Sequence, residues 1–543
     1  MKSALTFIFS GMAMTIPFNA LAKSFNYAQI FPADFENVSY KNLKKLNPPK
    51  GLFQLKKSSF SRLSAGYLKS PPIKAPFDFN ELIISPSATL PPSSSICARA
   101  RVSKDKKHWS HWYTTGKYIS KGLSQSFKKQ EDEFGLVDID TIKIKRKARY
   151  IQYKIELESF SSMPVLKQLT LVFTDTTMKY NEKKAVEKSE RFTALKLKVP
   201  KISQMKSQVK YSKNICSPVS IAMVLEFFDR HIPIVKIAKS VYDHENKIYG
   251  NWFLNSVFAG TMGLYSQIRR INSMQEAEFY IRRKIPIIAS LTFARGKLKN
   301  SPIKETAGHL LVITGFDKKG NVIVNDPAAF KNSETEIVYD RRQFAAAWLK
   351  NKYGTSYIIS NQPPEFAVIG KPVCKIYSRP RMRPENIETE ALAGERVKLL
   401  SINGKWAKVE LKGQLSRRNG KLQPFFGWIK TECLFTENLK TDHFLKKKKA
   451  KAIFQSGQET LSIGTRLKFI TQNEAVMPDG RIVLLKTPAD KSRKEKTVFP
   501  SGKRRNILNT LRMFLGDRYL WGGRSVFGIA VSYTHLRAHE TSL

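Results

Sequence analysis

The chain has 543 residues, 42% of them apolar, and carries 93 Lys and Arg against 44 Asp and Glu, a formal charge of +49. That length exceeds what one hydrophobic core fills, so several domains are expected, and the apolar content excludes wholesale disorder. The charge points to anionic polymers or membrane surfaces as partners, and without a helix-turn-helix, zinc-finger or stacking motif no nucleic acid is expected. A lysine-rich composition kept soluble by its charge accounts for the same balance.

The first 22 residues, MKSALTFIFSGMAMTIPFNALA, have a basic start at Lys2, an apolar stretch from Ala4 to Phe18 and a small-residue end at Ala20-Leu21-Ala22. This is the pattern of a secretory signal. The stretch is short for a membrane span and contains Pro17, and no other segment is long enough to cross a bilayer. A soluble exported protein, periplasmic or secreted, is therefore expected. Polar, lysine-rich residues 23–55 read as a linker. Over 56–180, alternating runs such as ICARARV (96–102), TIKIKRK (141–147), YIQYKIEL (150–157) and LKQLTLVF (166–173) predict a β-sandwich. Trp109, Trp112 and Tyr113 form either an exposed aromatic patch or part of the sheet packing.

Residues 195–365 change to an α+β pattern. An apolar helix is predicted at about 217–229, with Ile221, Val224, Leu225 and Phe228 burying one face against a sheet. A further helix follows at 273–284. Strands are expected at 286–293, 309–316 and 321–326. A strand-rich unit is predicted at 367–437 and a second, more basic one at 445–500, with KKKKAK (446–451) between them as a solvated linker. Of the four cysteines, Cys374 and Cys433 open and close the first of these units and are placed to form one bridge. Four is too few for a disulfide scaffold. No metal-ligand spacing occurs, and no cofactor is expected.

Cys216 stands just before the apolar helix, where unpaired N–H groups and the helix dipole stabilise a thiolate. Pro218 suits the first helical turn because its missing N–H costs nothing there. Downstream, HLLVITGF and NVIVND flank the turn DKKG and predict an antiparallel hairpin. If Phe316 faces Asn321, then Leu311 faces Asp326, and His309 lies two residues along on the same face. His309 and Asp326 become diagonal neighbours within side-chain reach, while Asn325 points to the other face. An aspartate so placed fixes the imidazole tautomer and leaves the second ring nitrogen for a thiol. The geometry holds only if the hairpin keeps this parity.

ICSPVSIAMVLEFF, GHLLVITGF and NVIVNDPA resemble the motifs of papain-like cysteine peptidases related to bacteriocin leader-processing enzymes, the double-glycine peptidase-like family, over about 196–360. The resemblance implies a papain-like fold with Cys216 as nucleophile, His309 as base and Asp326 as its partner. It also implies an oxyanion-hole glutamine upstream, for which Gln204 is the choice and Gln208 the reserve. The sandwich at 56–180 is similar to a domain found ahead of this unit in exported bacterial proteins. GERVKLL, NGKWAKVEL and FFGWIKTECL resemble a bacterial SH3-like domain, with Gly394, Trp406, Gly427 and Trp428 at turn-glycine and core-tryptophan positions. Residues 463–485 are similar to a weaker second copy. YLWGGRSVFGI resembles the start of an NlpC-type peptidoglycan endopeptidase at about 505–530. There Ala530 and Val531 replace its aspartate and cysteine, and His535 and His539 do not match its histidines. Residues 531–543 resemble a non-native tail.

These readings together describe a multidomain protein: an all-β sandwich, a papain-like α+β domain, SH3-like β-barrels and an incomplete α+β fragment. The function they imply is an exported cysteine peptidase acting on a peptide or protein at the envelope, with peptidoglycan or another anionic polymer as partner. Two rivals stand beside it: a wall-binding protein without catalysis, and a peptidoglycan endopeptidase whose catalytic C-terminal domain is missing. An inactive descendant of the peptidase family remains a further alternative.

Overall fold

The computed structural model describes residues 24–529 apart from 48–49, 60, 190–191, 207–210, 362–365, 419–420, 440, 442, 455–456, 487–490, 493–511, 518 and 521–522. The expected signal segment, Gln208, and residues 530–543 with Ala530, Val531, His535 and His539 lie outside the described residues. Among the described residues, no helix is long and apolar enough to cross a membrane.

The N-terminal domain is one strongly curved 11-stranded antiparallel sheet that folds over itself as a sandwich close to a barrel. Its frame is two very long strands, Ile73–Thr89 and Thr141–Ser159, each of which changes partners along its length. The two runs expected at 141–147 and 150–157 are thus a single strand. Register shifts between Lys143 and Ala148 and between Ala148 and Tyr150 turn its direction. Such irregularities bend a strand and let it serve two sheets. Residues 24–55, expected as a linker, belong to the domain instead. Ser24–Gln29 pairs along Leu169–Thr174, and Ser39–Lys41, Leu43–Lys45 and Phe53–Leu55 add further strands. Their lysines face solvent while Phe25, Phe35, Leu43, Phe53 and Leu55 enter the core. Polar composition had hidden an every-other-residue apolar pattern. Tyr113 is core, whereas Trp109 and Trp112 are half-buried, with the Arg101 guanidinium 4.8 and 5.0 Å from their rings.

The central domain is a seven-stranded antiparallel sheet flanked by helices. The expected elements appear as helix Cys216–Phe227, helix Met274–Arg282 and strands Ile287–Phe293, Thr306–Phe316 and Val322–Asn325. Helix Cys216–Phe227 differs from the expectation of one buried face, because every residue from Ser217 to Leu225 is buried. It is enclosed by the sheet on one side and by helices Ile234–Val241 and Trp252–Thr261 on the others. A helix apolar all round is a buried helix, and this one keeps its Cys216 end fixed in the core.

The two domains share one continuous apolar core. The edge strand Tyr265–Arg270 of the central sheet is covered by the N-terminal domain. Asn26 exchanges two hydrogen bonds with the Arg270 backbone, and Ser85 Oγ accepts from Ile268 N–H at 3.0 Å. Arg270 pairs with Glu81 at 2.7 Å. Covering an edge in this way satisfies its unpaired backbone groups. Gly260 allows the approach, since a Cβ there would stand 2.6 Å from Ser87 Oγ.

Two small seven-stranded antiparallel sheets follow, one spanning Phe366–Thr436 and the next starting at His443. Cys374 and Cys433 form a disulfide across the first. The lysine run at 446–451 is not a linker. Strand Lys449–Phe454 puts Ala450, Ala452 and Phe454 inside and its lysines outside. Trp406 and Trp428 are half-buried rather than core, and Ala407, Val409 and Ile429 fill that interior. Gly394 has φ +79, as a turn glycine should, but Gly427 lies in strand Lys421–Lys430. There a Cβ would meet Ile376 Cγ2 at 2.3 Å, so close packing is its reason. Beyond 511, short strands Arg524–Ser525 and Gly528–Ile529 rest on the first small sheet through Arg524, which binds Glu390 and Glu395.

Candidate active site

Cys216 is the first residue of its helix, and its thiol is half-buried. Ser217 and Ser220 tie this end down: Ser217 Oγ donates to Asn255 Oδ1 at 2.8 Å, and Ser220 Oγ to the Leu310 carbonyl at 3.2 Å. The second contact joins the cysteine helix to the strand that carries His309.

That strand reaches the geometry by a different route from the one expected. Phe316 faces Val322, not Asn321, so the loop holds five residues rather than four. Taken alone, the odd residue would turn His309 away from Asp326. A bulge at Thr314, between Ile313 and Gly315, takes up the extra residue, and Val312 again faces Asn325 as the even loop requires. The parity is restored, and His309 Nε2 lies 2.7 Å from Asp326 Oδ1. Both residues are buried, His309 at 4% exposure and Asp326 at 0%.

With Nε2 engaged by the carboxylate, Nδ1 is the ring nitrogen left for a thiol, and His309 lies close enough to Cys216 to perturb it. Burial pushes the Cys216 thiol up, but the hydrogen bond and charge of His309 and the Leu310 N–H outweigh it, and the thiol is held below its ordinary value. His309 moves the other way. Burial opposes its charge, yet the Asp326 carboxylate and the neighbouring sulfur raise it to about 10. Asp326 is held low: burial raises it, and His309, the Ala328 N–H and Tyr339 together prevail. The three shifts each favour the charged form, thiolate beside imidazolium beside carboxylate.

Tyr339 was not foreseen. Its hydroxyl donates to Asp326 Oδ2 at 2.9 Å from strand Glu336–Tyr339, the next strand of the sheet. A tyrosine that closes an unpredicted strand gives no signal in the sequence. Ala328 N–H adds a third donor to the carboxylate at 3.0 Å.

Gln204 is buried, at 3% exposure, in a single helical turn ahead of the cysteine helix. Its N–H donates to the Pro327 carbonyl at 2.8 Å, and its Nε2 donates to the Lys213 carbonyl at 3.1 Å. Asn325, predicted to face away from His309, donates to the carbonyls of Val199 and Pro200 at 3.1 and 3.0 Å. Ser203 N–H adds a bond to Asn332 Oδ1 at 2.8 Å. The segment bearing Gln204 is thus bolted to the loop that bears Asp326. Among the described residues, no cluster of three or more His, Cys, Asp or Glu side chains is arranged to hold a metal.

Comparison with known proteins gives two family matches. Residues 196–356 match the Peptidase_C39 like family, and residues 36–174 match the Peptidase C39 N-terminal domain. The chain is similar to a gamma-D-glutamyl-L-lysine dipeptidyl-peptidase of Bacillus cereus, with 27% identity over 164 residues, 27% of this chain and 49% of the relative. A protein of the same name from Bacillus subtilis is 29% identical over 167 residues, 29% of this chain and 55% of the relative. The chain therefore spans about half the length of these curated relatives. Among solved structures, an NlpC/P60 family protein from Bacillus cereus is 22% identical with a TM-score of 0.28, covering 32% of this chain and 72% of that one.

Proposed function

We propose that the chain, a member of the C39-like cysteine-peptidase family through residues 196–356, hydrolyses peptide bonds by acyl transfer to Cys216. The observation that carries this reading is the buried His309–Asp326 pair beside the helix-head Cys216, with the thiol lowered and the imidazole raised. A thiolate attacks the carbonyl carbon, and the carbonyl π electrons move to oxygen. The resulting oxyanion is held by the Gln204 amide and the Cys216 N–H at the helix head, donors of a kind typically worth roughly 10²–10³ in rate. The His309 imidazolium gives its proton to the leaving amine as the C–N bond breaks. Water then attacks the thioester, His309 takes its proton, and the acid product leaves as the thiolate reforms. Asp326 holds the ring and balances its charge throughout.

The substrate class that fits best is a peptide of the bacterial envelope, reached by an exported protein. The charge of +49 suits anionic envelope polymers, and the relatives' names describe action on a gamma-D-glutamyl-L-lysine linkage. The two small C-terminal sheets, read as SH3-like modules, then serve as wall-binding units. The second reading, an endopeptidase whose chemistry belongs to an NlpC-type domain, draws on residues 523–529 seated on the first of these sheets.

Incubating the chain and its Cys216→Ala variant with a peptide library and with purified sacculi tests the proposal. Cleavage by the wild type alone is expected. Cleavage that survives Cys216→Ala, or no cleavage by the wild type, removes it.

A further inference from the structure

Behind Cys216 runs a buried polar line that crosses from the central domain into the N-terminal one. Ser217, next to the thiol, donates to Asn255 Oδ1 at 2.8 Å and lies 3.2 Å from Tyr357 Oη. Asn255 is fully buried, and its amide also binds the carbonyls of Tyr249 and Asn251 at 2.8 and 2.7 Å. It sits in the first turn of helix Trp252–Thr261.

That helix is capped twice. Asn251 accepts from Leu254 N–H at 3.0 Å, as an ordinary N-cap. The preceding N–H groups, those of Trp252 and Phe253, go to a residue of the other domain: Asp140 Oδ2 accepts both, the second at 3.0 Å. Phe253 also packs on Gly116, where a Cβ would stand 2.5 Å from its ring. A second carboxylate braces the same turn. Asp243 accepts from Asn251 Nδ2 at 2.8 Å and from both the N–H and the hydroxyl of Ser126 in the N-terminal domain. Asp140 is 4% exposed and Asp243 0%. Tyr357 stands within electrostatic reach of both Asp140 and Cys216.

We propose that Asp140 of the N-terminal domain is a positioning residue of the thiol site, fixing helix Trp252–Thr261 and, through Asn255 and Ser217, the head of the cysteine helix. The sulfur–imidazole bond depends on where that helix begins, and misplacements of about 1 Å are enough to cost on the order of 10²-fold in reactivity. The N-terminal domain is on this account part of the site's construction and not only an envelope-facing module. The inference rests on the reading of Cys216 as the nucleophile, but its readout does not require a substrate.

The test is the pH profile of Cys216 alkylation by iodoacetamide in the full chain, localised by peptide mass spectrometry. Cys97 is buried with its thiol pushed up to about 11, and Cys374 and Cys433 are bonded to each other, so labelling at neutral pH reports Cys216. Asp140→Ala should move the acid limb up by about one pH unit, slowing alkylation about tenfold at pH 6. Asp140→Asn keeps an acceptor oxygen and should stay within about threefold of wild type. Ser217→Ala cuts the last link and should reproduce the Asp140→Ala shift. The double variant should be no slower than either single one, because both interrupt one line. Lys128→Ala, which removes an exposed interdomain bond to the Glu245 carbonyl, should leave the profile in place.

A folded Asp140→Ala protein with the wild-type profile overturns the proposal, as do additive effects in the double variant. Should Asp140→Ala fail to fold, a wild-type profile in Ser217→Ala overturns it alone. A wild type that alkylates with the expected couplings yet cleaves no peptide rejects the peptidase reading and leaves this one standing.

Discussion

Asp326→Asn separates the charge of the carboxylate from its shape. The wild-type oxygen atoms accept from His309 at 2.7 Å, from Tyr339 at 2.9 Å and from Ala328 at 3.0 Å, in a fully buried position. The amide keeps the volume and one acceptor oxygen but takes the carboxylate's counter-charge away from the buried imidazolium. Breaking one partner of a buried pair in this way costs about 3–5 kcal/mol. The pH dependence gives the sign. His309 is raised from 6.5 to about 10, so its contribution to stability is complete below pH 6.5 and is lost as pH rises through 10. Asp326 is lowered, so its share is present above the ordinary carboxylate range and is lost only in acid. The stability gap between wild type and variant should therefore be full near pH 6 and shrink steadily toward pH 10.5. Urea unfolding at pH 6, 8 and 10.5, followed by a central-domain tryptophan such as the buried Trp348, measures it. A gap under about 1 kcal/mol at pH 6, or one unchanged from pH 6 to 10.5, refutes the buried-pair argument.

Gln204→Ala should lower turnover on any peptide the chain cleaves by about 10²–10³ while leaving iodoacetamide alkylation near wild type, since no oxyanion forms there. Equal losses in both assays would assign Gln204 to folding instead. Asn325→Ala unbolts Val199 and Pro200, so it should mimic part of the Gln204→Ala loss without touching the His309 bond. Steady-state kinetics beside an alkylation profile would detect the difference. Tyr339→Phe removes one of three donors from a buried carboxylate and should destabilise the central domain by about 1–3 kcal/mol, read by the same urea series.

The hairpin shows how far sequence reaches. Strand parity carries across a turn, so His309 and Asp326 were legible as neighbours. The loop length and the bulge at Thr314 were not, because residues 309–316 are all buried and show no alternation for a bulge to interrupt. The cysteine helix was legible from its apolar run and Pro218, but not its complete burial, which depends on helices packed from later in the chain. Strand Ile73–Thr89 was not singled out; it contains Pro76 and Pro86, residues uncommon inside a strand, and it changes partners along its length. Tyr339 and Asp140 escaped for a common reason. Each acts from an element that the sequence pattern did not reveal as part of the site, and neither belongs to a motif.

The reactivity of the Cys216 thiol as a function of pH, in wild type and in His309→Ala, tests the central claim most directly. With the imidazolium in place, the acid limb of alkylation should fall below the 9.0 of an ordinary thiol. Without it, burial alone remains, and the limb should rise past that value, slowing alkylation at pH 6. Two superimposed profiles would contradict the account, because sulfur and imidazole would then not be acting as a pair.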